Sequence, residues 1–554
     1  MYSHLHLGCG QQNVHPEKEK VEIIKCWQDW PEKGKKDKEG NWRAAVIPVL
    51  ALIFIACGQP IDKKDHLSTD GVKASRMLSV REVRADLTIL YDAIKEMHPA
   101  YGIYTSADSL QTLYDQINAS LDSPISESDL ITHIYPLLCA LRCGHTQIRH
   151  SKDYAPSSGD LPHLPFEVLV KKHHVWVTTH TIPAINTGDE ILAVNDIPVA
   201  SIVDHGYNLY AGDGYNETFK ELYLSEYDGF EDVFNQYYHW KPPYSIMLRE
   251  KKGGVKTILV NAATKDPVPA SDTATTANYS NWMEAKGTDY LPLRFLKHSS
   301  VAWFQVKSYQ YGDTVIFKEA FKQIQEKGIK SLIIDLRHNT GGDIRIAANL
   351  LSYLADAPYH IIGDVRSRIP NPAFNSFSKY FDAGTTVSFT EGFSPGSKEG
   401  SYYHVTFKPV FGDMLGTLPL NTSLHFNGDL YVLIDGATFS SGAHTAIAIR
   451  TQCKKARFIG RETAGGAEGC SGGTIQHLTL PNTGIVIEFP WMRIVSVAPH
   501  QPVPGRGIIP EFTVEYTAAD VVNKNDLDLE KALRLIKQRR PGFDPHKLQA
   551  ITYL

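Results

Sequence analysis

Two adjacent serines, Ser440 and Ser441, stand where a hydroxyl could form an acyl-enzyme. They lie in the run TFSSGAHTAIAIR, which follows an apolar strand pattern, DLYVLI, and opens a helix pattern. At a helix start the backbone N–H groups lack acceptors and the helix dipole favours negative charge, so an oxyanion is stabilised there. We expect Ser441 to be the nucleophile. Ser440 is the competing candidate, and spacing alone does not exclude it.

A serine nucleophile needs a base within hydrogen-bond reach and N–H donors for the oxyanion. The N–H of Gly442, directly after Ser441, is the first expected donor. The run SLIIDLRHNTGGD ends a second strand pattern in Gly341 and Gly342, whose bare backbones can approach a bound carbonyl and supply the other donor. The candidate base is His145 in CGHT, just past the end of a predicted helix.

The elements that must position these groups change in type along the chain. Residues 77–150 are predicted to be helical, because Ser126 and Asp129 form a capping box, apolar residues follow at helical spacing, and Gly144 ends the helix. Residues 160–262 instead carry short β-rich runs separated by Gly, Pro and Asp turns, which predicts a separate β-module.

Residues 290–520 alternate strand and helix patterns, a rhythm typical of parallel strands joined by helical crossovers. Within them, residues 356–426 are rich in Pro, Gly, Ser and aromatics and are expected to form an inserted β-element or lid. Residues 521–554 hold a last helix, DLDLEKALRLIKQ, and a tail. The predicted fold class is therefore α/β, in a multi-domain α+β arrangement.

The run AINTGDEILAVNDIPVASI, within residues 160–262, resembles the signature hairpin of a PDZ domain. The glycine-bearing loop with which PDZ modules hold a peptide C-terminus has no counterpart in this segment. Two interpretations stay open: a PDZ-like module that binds peptide, and a small β-subdomain that only shapes the cleft.

From about residue 77 to 540 the chain resembles the S41 family of serine peptidases, the C-terminal-processing and tricorn-core group. The resemblance rests on the order of its motifs: GHT, the PDZ-like run, IIDLRHNTGGD, TFSSGAH, GRETAGG and GRGIIPE. It implies a crotonase/ClpP-like α/β catalytic core. Laying GATFSSG on the family's serine motif by its leading Gly436 places the nucleophile at Ser441.

The base implied by this resemblance depends on the branch of the family. In the processing branch a lysine serves, but the matching position here is Gly466, so a Ser–Lys dyad has no base. The tricorn-like branch uses a histidine from the helical region, and His145 matches it. We therefore expect His145 to take the proton from Ser441 and return it to the leaving amine.

The group that orients the histidine departs from the tricorn-like pattern. That branch has a serine before its histidine, where this chain has Gly144, and a glutamate before a Gly-rich turn that here reads PVPGRGIIP without an acid. Glu468 and Glu462 are the substitutes, chosen by their proximity to the site loop. Solvated loop glutamates are the alternative explanation for both.

Residues 1–57 are predicted to be a leader. The run from Ala44 to Ala56, AAVIPVLALIFIA, is too short to span a bilayer, which takes roughly 20 residues, but it suits a signal-peptide core. FIAC resembles a bacterial lipobox, which implies that Cys57 is lipidated and anchors the protein to the membrane of a bacterial cell envelope, facing the periplasm or the surface. A buried N-terminal helix is the alternative.

Composition excludes some functions. The net charge of −5 leaves no basic excess, and no arginine-rich arm is present, so nucleic acid is not an expected partner. No P-loop, HExxH or zinc-type cysteine spacing occurs, so neither a metal nor an organic cofactor is predicted. Four cysteines, Cys139, Cys143, Cys453 and Cys470, fall beyond the leader. Cys139 and Cys143, four apart at the end of one helix, are expected to be small buried apolar residues and not a ligand pair, and a disulfide of unassigned pairing stays open if the chain is exported.

These observations predict a serine endopeptidase that cuts peptides or unfolded proteins through a Ser–His acyl-enzyme. The alternative is an S41-like protein that binds a ligand or peptide without catalysis, since the lysine is missing and the orienting group is unassigned. An acyl-CoA enzyme ranks third, because the PDZ-like run and GHT have no place in a crotonase. An α/β-hydrolase is disfavoured, because Phe439 occupies the first glycine position of GxSxG.

Overall fold

The structure is a computed structural model, and it describes residues 76–154, 162–263, 279–371, 375–382, 389–497 and 503–539. The predicted leader and its lipidation site Cys57 lie outside these residues. Within the described part of the chain, no helix combines the length and the apolar character needed to cross a membrane.

The strands are numbered in chain order. They are β1 Met77–Leu78, β2 Ile125–Ser126, β3 Gln147–Arg149, β4 Phe166–Lys171, β5 His174–His180, β6 Glu190–Val194, β7 Ile197–Pro198, β8 Tyr244–Arg249, β9 Val255–Val260, β10 Trp282–Glu284, β11 Leu293–Leu296, β12 Val301–Gln305, β13 Ser331–Asp335, β14 Asp364–Ser367, β15 Phe393–Glu399, β16 Tyr402–Phe407, β17 Asp429–Ile434, β18 Ala456–Gly460, β19 Gly469–Thr479, β20 Val486–Val495 and β21 Phe512–Thr513.

The α-helices follow the same convention. They are α1 Val80–Met97, α2 Ala107–Ser120, α3 Glu127–Ala140, α4 Val199–Tyr207, α5 Thr218–Glu226, α6 Gly229–Asp232, α7 Asp313–Glu326, α8 Ile344–Ser352, α9 Ser441–Gln452, α10 Ala518–Val522 and α11 Leu527–Gln538.

The N-terminal region consists mainly of α1, α2 and α3. The predicted start of α3 is present: Ser126 is its N-cap, and its side chain accepts a hydrogen bond from the Asp129 N–H. The side chain of Asp129 accepts from the Ser126 hydroxyl instead of reaching back to the backbone. The chain leaves α3 through a tight turn that contains His145 and enters β3.

The next region is an antiparallel sheet in the order β4-β5-β6-β8-β9, with β7 paired to β6. Its apolar side chains form a core of their own together with α4 and the segment 224–234. This sheet lies within residues 160–262, and the domain bounds expected from the sequence stay a prediction. Whether the module is PDZ-like stays a prediction.

The central sheet has seven strands in the order β10-β11-β12-β13-β17-β18-β21, parallel from β12 onward. Every residue of β13 is buried, as expected for a strand covered on both faces. β13 and β17 are neighbours, with Asp335 opposite Leu433, so the loops that follow them meet at one edge of the sheet. The predicted α/β fold class is confirmed.

A second core sheet, in the order β15-β16-β14-β20-β19, includes strands from the segment 356–426. β3 joins it by pairing antiparallel with β20, with Gln147 opposite Glu488. Because His145 lies two residues before β3, this pairing carries the histidine from the helical region to the edge of the core.

Candidate active site

His145 faces Ser440. The ring atom Nε2 of His145 lies 3.1 Å from Ser440 Oγ, and both residues are buried. This is hydrogen-bond distance between a hydroxyl and an imidazole, the arrangement a general base needs. The contact joins residues 295 positions apart in the sequence.

The Ser441 side chain points away from His145, which differs from the expectation that His145 takes its proton. Its hydroxyl donates a 2.7 Å hydrogen bond to the Gly342 carbonyl. The reason is the backbone of Ser440, which precedes α9 as its N-cap and adopts φ 50° and ψ −127°. A residue without glycine's freedom is rare at positive φ, and such outliers cluster at functional sites. The turn directs the Ser440 side chain toward His145 and leaves Ser441 as the first residue of the helix.

Aromatic packing holds the His145 ring. Its centroid lies 4.4 Å from that of Phe439, and Phe439 packs in turn on Phe219 of α5 at 5.4 Å. Burial lowers the pKa of His145 to about 4; the nearby His444 lowers it further, while the Ser471 carbonyl acts in the opposite direction. The ring is therefore neutral at neutral pH and can accept a proton.

The N–H groups expected to form the oxyanion site are only partly available. The Gly442 N–H donates to the Phe439 carbonyl at 2.8 Å, and the Gly341 N–H donates to Asn339 Oδ1 at 2.9 Å. These two expected donors are therefore occupied within the protein.

Two neighbouring N–H groups remain free of acceptors among the described residues, those of Ser441 and Gly342. The loops that carry them are in close contact, since a Cβ added to Gly341 would lie 3.0 Å from Ser441 N. Gly341 and Gly342 have φ of +114° and +131°, values that favour glycine. The turn that holds Gly341 and Gly342 thus lies closer to Ser440 than a side chain at Gly341 would allow.

Glu468, expected to orient His145, has other partners. It accepts hydrogen bonds from the Tyr104 hydroxyl at 2.5 Å and from Arg493 Nη2 at 3.0 Å. Glu462, the second substitute, pairs with Arg506 and accepts the Gly507 N–H at 2.8 Å. Neither carboxylate has a hydrogen bond to His145. The expected contact of either carboxylate with His145 is not present in the structure, because Glu468 pairs with Arg493 and Glu462 pairs with Arg506.

Asp213 is a site residue that the sequence reasoning missed. It lies in the loop between α4 and α5, is buried, and its Oδ1 accepts the Gly144 N–H at 2.7 Å. One ligand atom each of Asp213, His145 and Cys143 lie within 4.8 Å of one another. Burial raises the pKa of Asp213 to about 7, an effect that the N–H of Gly144 and the charge of Arg493 oppose.

His444, on α9, also lies in the site. Its Nδ1 is 3.2 Å from Ser496 Oγ and its Nε2 is 3.6 Å from Cys470 Sγ. Burial, together with the charge of Arg493, lowers its pKa to about 4. His444 therefore contributes a neutral wall to the pocket beside Ser440.

That pocket opens directly on Ser440, Ser441 and His444. Most of its remaining lining is apolar and comes from three places: α8, the segment 356–426, and β20. The apolar side chains are Ile344, Ile362, Phe393, Phe407, Met492 and Ile494.

Two solved structures are similar to this fold. The structure of mature CPAF complexed with lactacystin matches with a TM-score of 0.54 and 15% sequence identity, over 82% of this chain and 98% of that chain. The crystal structure of mature CPAF matches equally well, at 0.54 and 15%, over 83% and 97%. No curated protein matches the chain by sequence. The chain thus has a multi-domain α/β fold shared with mature CPAF.

The model of peptidase family S41 matches residues 300–514, which contain β13, the Gly341–Gly342 turn, and both serines. Residues 300–514 are therefore similar to peptidase family S41, and peptidase is the activity class that this match supports. The resemblance seen in the sequence motifs is confirmed. His145 and Asp213 lie outside the matched segment and reach the site from the N-terminal half.

Proposed function

We propose that this protein is a serine peptidase in which Ser440 is the nucleophile and His145 the general base. The observation that carries the proposal is the 3.1 Å contact between His145 Nε2 and Ser440 Oγ. Ser440 Oγ attacks the peptide carbonyl as its proton passes to His145 Nε2. The histidine then gives that proton to the departing amine, and water hydrolyses the acyl-enzyme by the same route.

The oxyanion formed in each step would be held by the N–H groups of Ser441 and Gly342. Neither N–H has an acceptor among the residues that the structure describes, and both lie on loops that contact each other beside Ser440. Preorganised backbone donors of this kind are worth about 3 kcal/mol each in the transition state.

We assign Asp213 as the positioning group for His145. Its carboxylate is buried beside the histidine and is fixed by the N–H of Gly144, the residue before His145. An ionised carboxylate near Nδ1 would favour the tautomer with the proton on Nδ1, which leaves Nε2 free to accept the serine proton. His145 Nδ1 and Asp213 Oδ2 are both buried without a hydrogen-bond partner, so each is available to the other.

The pocket beside Ser440 supports a proposal about the substrate class. Its lining beside Ser440 is mostly apolar, so we expect peptides or unfolded proteins with an apolar side chain at the residue preceding the scissile bond.

We further propose that the protein is held at a bacterial cell envelope by a lipid on Cys57. The support is the apolar run from Ala44 to Ala56 followed by FIAC. Metabolic labelling with a fatty acid in a bacterial host should modify the wild-type chain and spare Cys57→Ser. Equal labelling of the two would overturn the anchor.

A fluorophosphonate probe tests the catalytic assignment. The leaderless protein should be labelled, labelling should be lost in Ser440→Ala and His145→Ala, and Ser441→Ala should retain it. Loss in Ser441→Ala with retention in Ser440→Ala would move the nucleophile to Ser441. A folded wild type that resists labelling would favour an S41-like protein that binds peptide without cutting it.

A further inference from the structure

Cys143 is a buried nucleophilic side chain that the proposed mechanism does not use. It lies two residues before His145, it is 1% exposed, and its thiol lies 3.9 Å from the Ser471 carbonyl and close to the Thr146 hydroxyl and the His145 N–H. Together with His145 and Asp213 it forms a cluster whose ligand atoms lie within 4.8 Å of one another. The cluster includes the proposed general base, His145, and all three of its residues are buried.

Two further atoms of this cluster lack partners. His145 Nδ1 and Asp213 Oδ2 are both buried, and neither has a hydrogen-bond partner within the part of the chain that the structure describes. An unsatisfied buried polar atom costs about 1–3 kcal/mol, so two such atoms beside a free thiol call for an explanation. The pairing of Asp213 with His145 during catalysis accounts for two members of the cluster and leaves the thiol unexplained.

We propose that Cys143, His145 and Asp213 form a binding site for a thiophilic divalent cation, with Zn²⁺ the best fit. The three ligand atoms would be Cys143 Sγ, His145 Nδ1 and Asp213 Oδ2, with a fourth position for water. Thiolate, imidazole and carboxylate are the ligands that zinc prefers, and three protein ligands with one open position is a common zinc arrangement.

The distances allow such a site after a small closure. Bonds of about 2.0–2.3 Å in a tetrahedral arrangement put ligand atoms roughly 3.3–3.8 Å apart. The residues therefore need to approach by about 1 Å. The Gly144 N–H bond to Asp213 Oδ1 fixes the carboxylate and leaves Oδ2 for the ion. On binding, the Cys143 thiol gives its proton to solvent.

The effect on catalysis rests on the proposed function. A neutral imidazole that binds a metal through the lone pair of Nδ1 carries its remaining proton on Nε2. Nε2 is the atom that faces Ser440, and in that tautomer it cannot accept the serine proton. Occupation of the site would therefore switch the peptidase off reversibly, without displacing the substrate.

The first experiment measures binding without any catalysis. Co²⁺ is titrated into the full chain carrying Ser440→Ala, and the near-ultraviolet band of cobalt–thiolate charge transfer is followed. One equivalent should produce the band, and the added change Cys143→Ala should abolish it. Cys453→Ala is the control, because that thiol contacts the Leu354 carbonyl elsewhere in the core. Absence of the band, or its persistence in Cys143→Ala, would overturn the site.

The second experiment measures the switch. Zn²⁺ should inhibit cleavage of a peptide by the wild type, and a chelator should restore it. Cys143→Ala should keep its basal activity and need at least about tenfold more Zn²⁺ for the same inhibition, since one ligand is lost. Equal inhibition of the two would overturn the switch. If the wild type has no peptidase activity, the proposed function fails, and the cobalt band still decides the site.

Discussion

The N–H of Gly144 donates a 2.7 Å hydrogen bond to Oδ1 of Asp213. This bond joins the turn after α3 to a loop of the β-module, at the residue before His145. There is no space for a side chain at this point, because a Cβ on Gly144 would lie 2.8 Å from the Phe439 ring and 3.5 Å from Asp213 Oδ1. Three separate parts of the chain thus meet around one glycine, and their contact determines how the histidine is presented to Ser440.

Asp213→Asn should lower kcat by about 10²-fold or more while leaving the fold intact. The amide can still accept the Gly144 N–H, but it carries no charge and can present its NH₂ group to Nδ1, which favours the wrong tautomer. Glu468→Gln is the matched control, since Glu468 bonds Tyr104 and Arg493. Steady-state kinetics on a peptide decides between them, and a larger loss in Glu468→Gln would contradict the assignment.

The pH dependence should follow Asp213. Burial raises its pKa to about 7, Arg493 and the N–H groups of Gly144 and Gly466 act against this, and Glu468 acts with it. Below that pH the carboxyl is neutral and cannot stabilise the imidazolium, so kcat/KM should fall as pH drops through about 7. His145, with a pKa of about 4, remains a competent base there. The residual kcat/KM of Asp213→Asn should not show this fall toward acidic pH. The same fall in the variant would mean that another group causes it.

Gly341→Ala should abolish probe labelling. The new Cβ would lie 2.7 Å from Ser440 Cβ, and the backbone there has φ +114°. Strain of this kind costs about 1–3 kcal/mol, so some loss of thermal stability is expected as well. Gly312→Ala separates the two effects, because Gly312 has φ +104° with no atom within 4 Å of its added Cβ. That control should be destabilised yet labelled normally.

Peptides with an apolar residue before the scissile bond should be cleaved about 10- to 100-fold better than those with Asp or Lys there. The lining of the pocket beside Ser440 is the reason. Met492→Ala enlarges the pocket and should shift the preference toward larger side chains. Met247→Ala, at a residue 37% exposed on the β-module, should leave it unchanged. A peptide library read by mass spectrometry measures both, and equal cleavage of charged and apolar peptides would contradict the assignment.

His338 should stabilise the fold at acidic and neutral pH. It lies 2.7 Å from Asp435 and 2.9 Å from Glu226 on α5, and these carboxylates raise its pKa well above the ordinary value. A raised folded-state pKa gives stability that is complete below about pH 6.5 and lost as pH rises through the higher value. The gain of wild type over His338→Gln in thermal melting should therefore shrink from pH 6 to alkaline pH. A gain that grows with pH would contradict this.

Local pattern was enough to predict β13, β17, the start of α9, and a histidine just after α3, because apolar runs and capping signals act over a few residues. The choice between Ser440 and Ser441 was not predictable in this way. Which of the two hydroxyls faces His145 depends on the backbone of Ser440, whose φ is 50°. The contact of Asp213 with Gly144 was missed because it forms only where the loop between α4 and α5 meets the turn after α3. The pairing of Glu468 with Arg493, 25 residues further on, is likewise a tertiary contact that local pattern does not reveal.

The pairing of β3 with β20 has a consequence for how activity arises during folding. The histidine and the serine belong to segments 295 residues apart, and closing so long a loop carries a large entropy cost that only the completed core repays. Under the proposed function, a half-folded chain therefore contains a serine without its base, so activity would arise only once the core is complete.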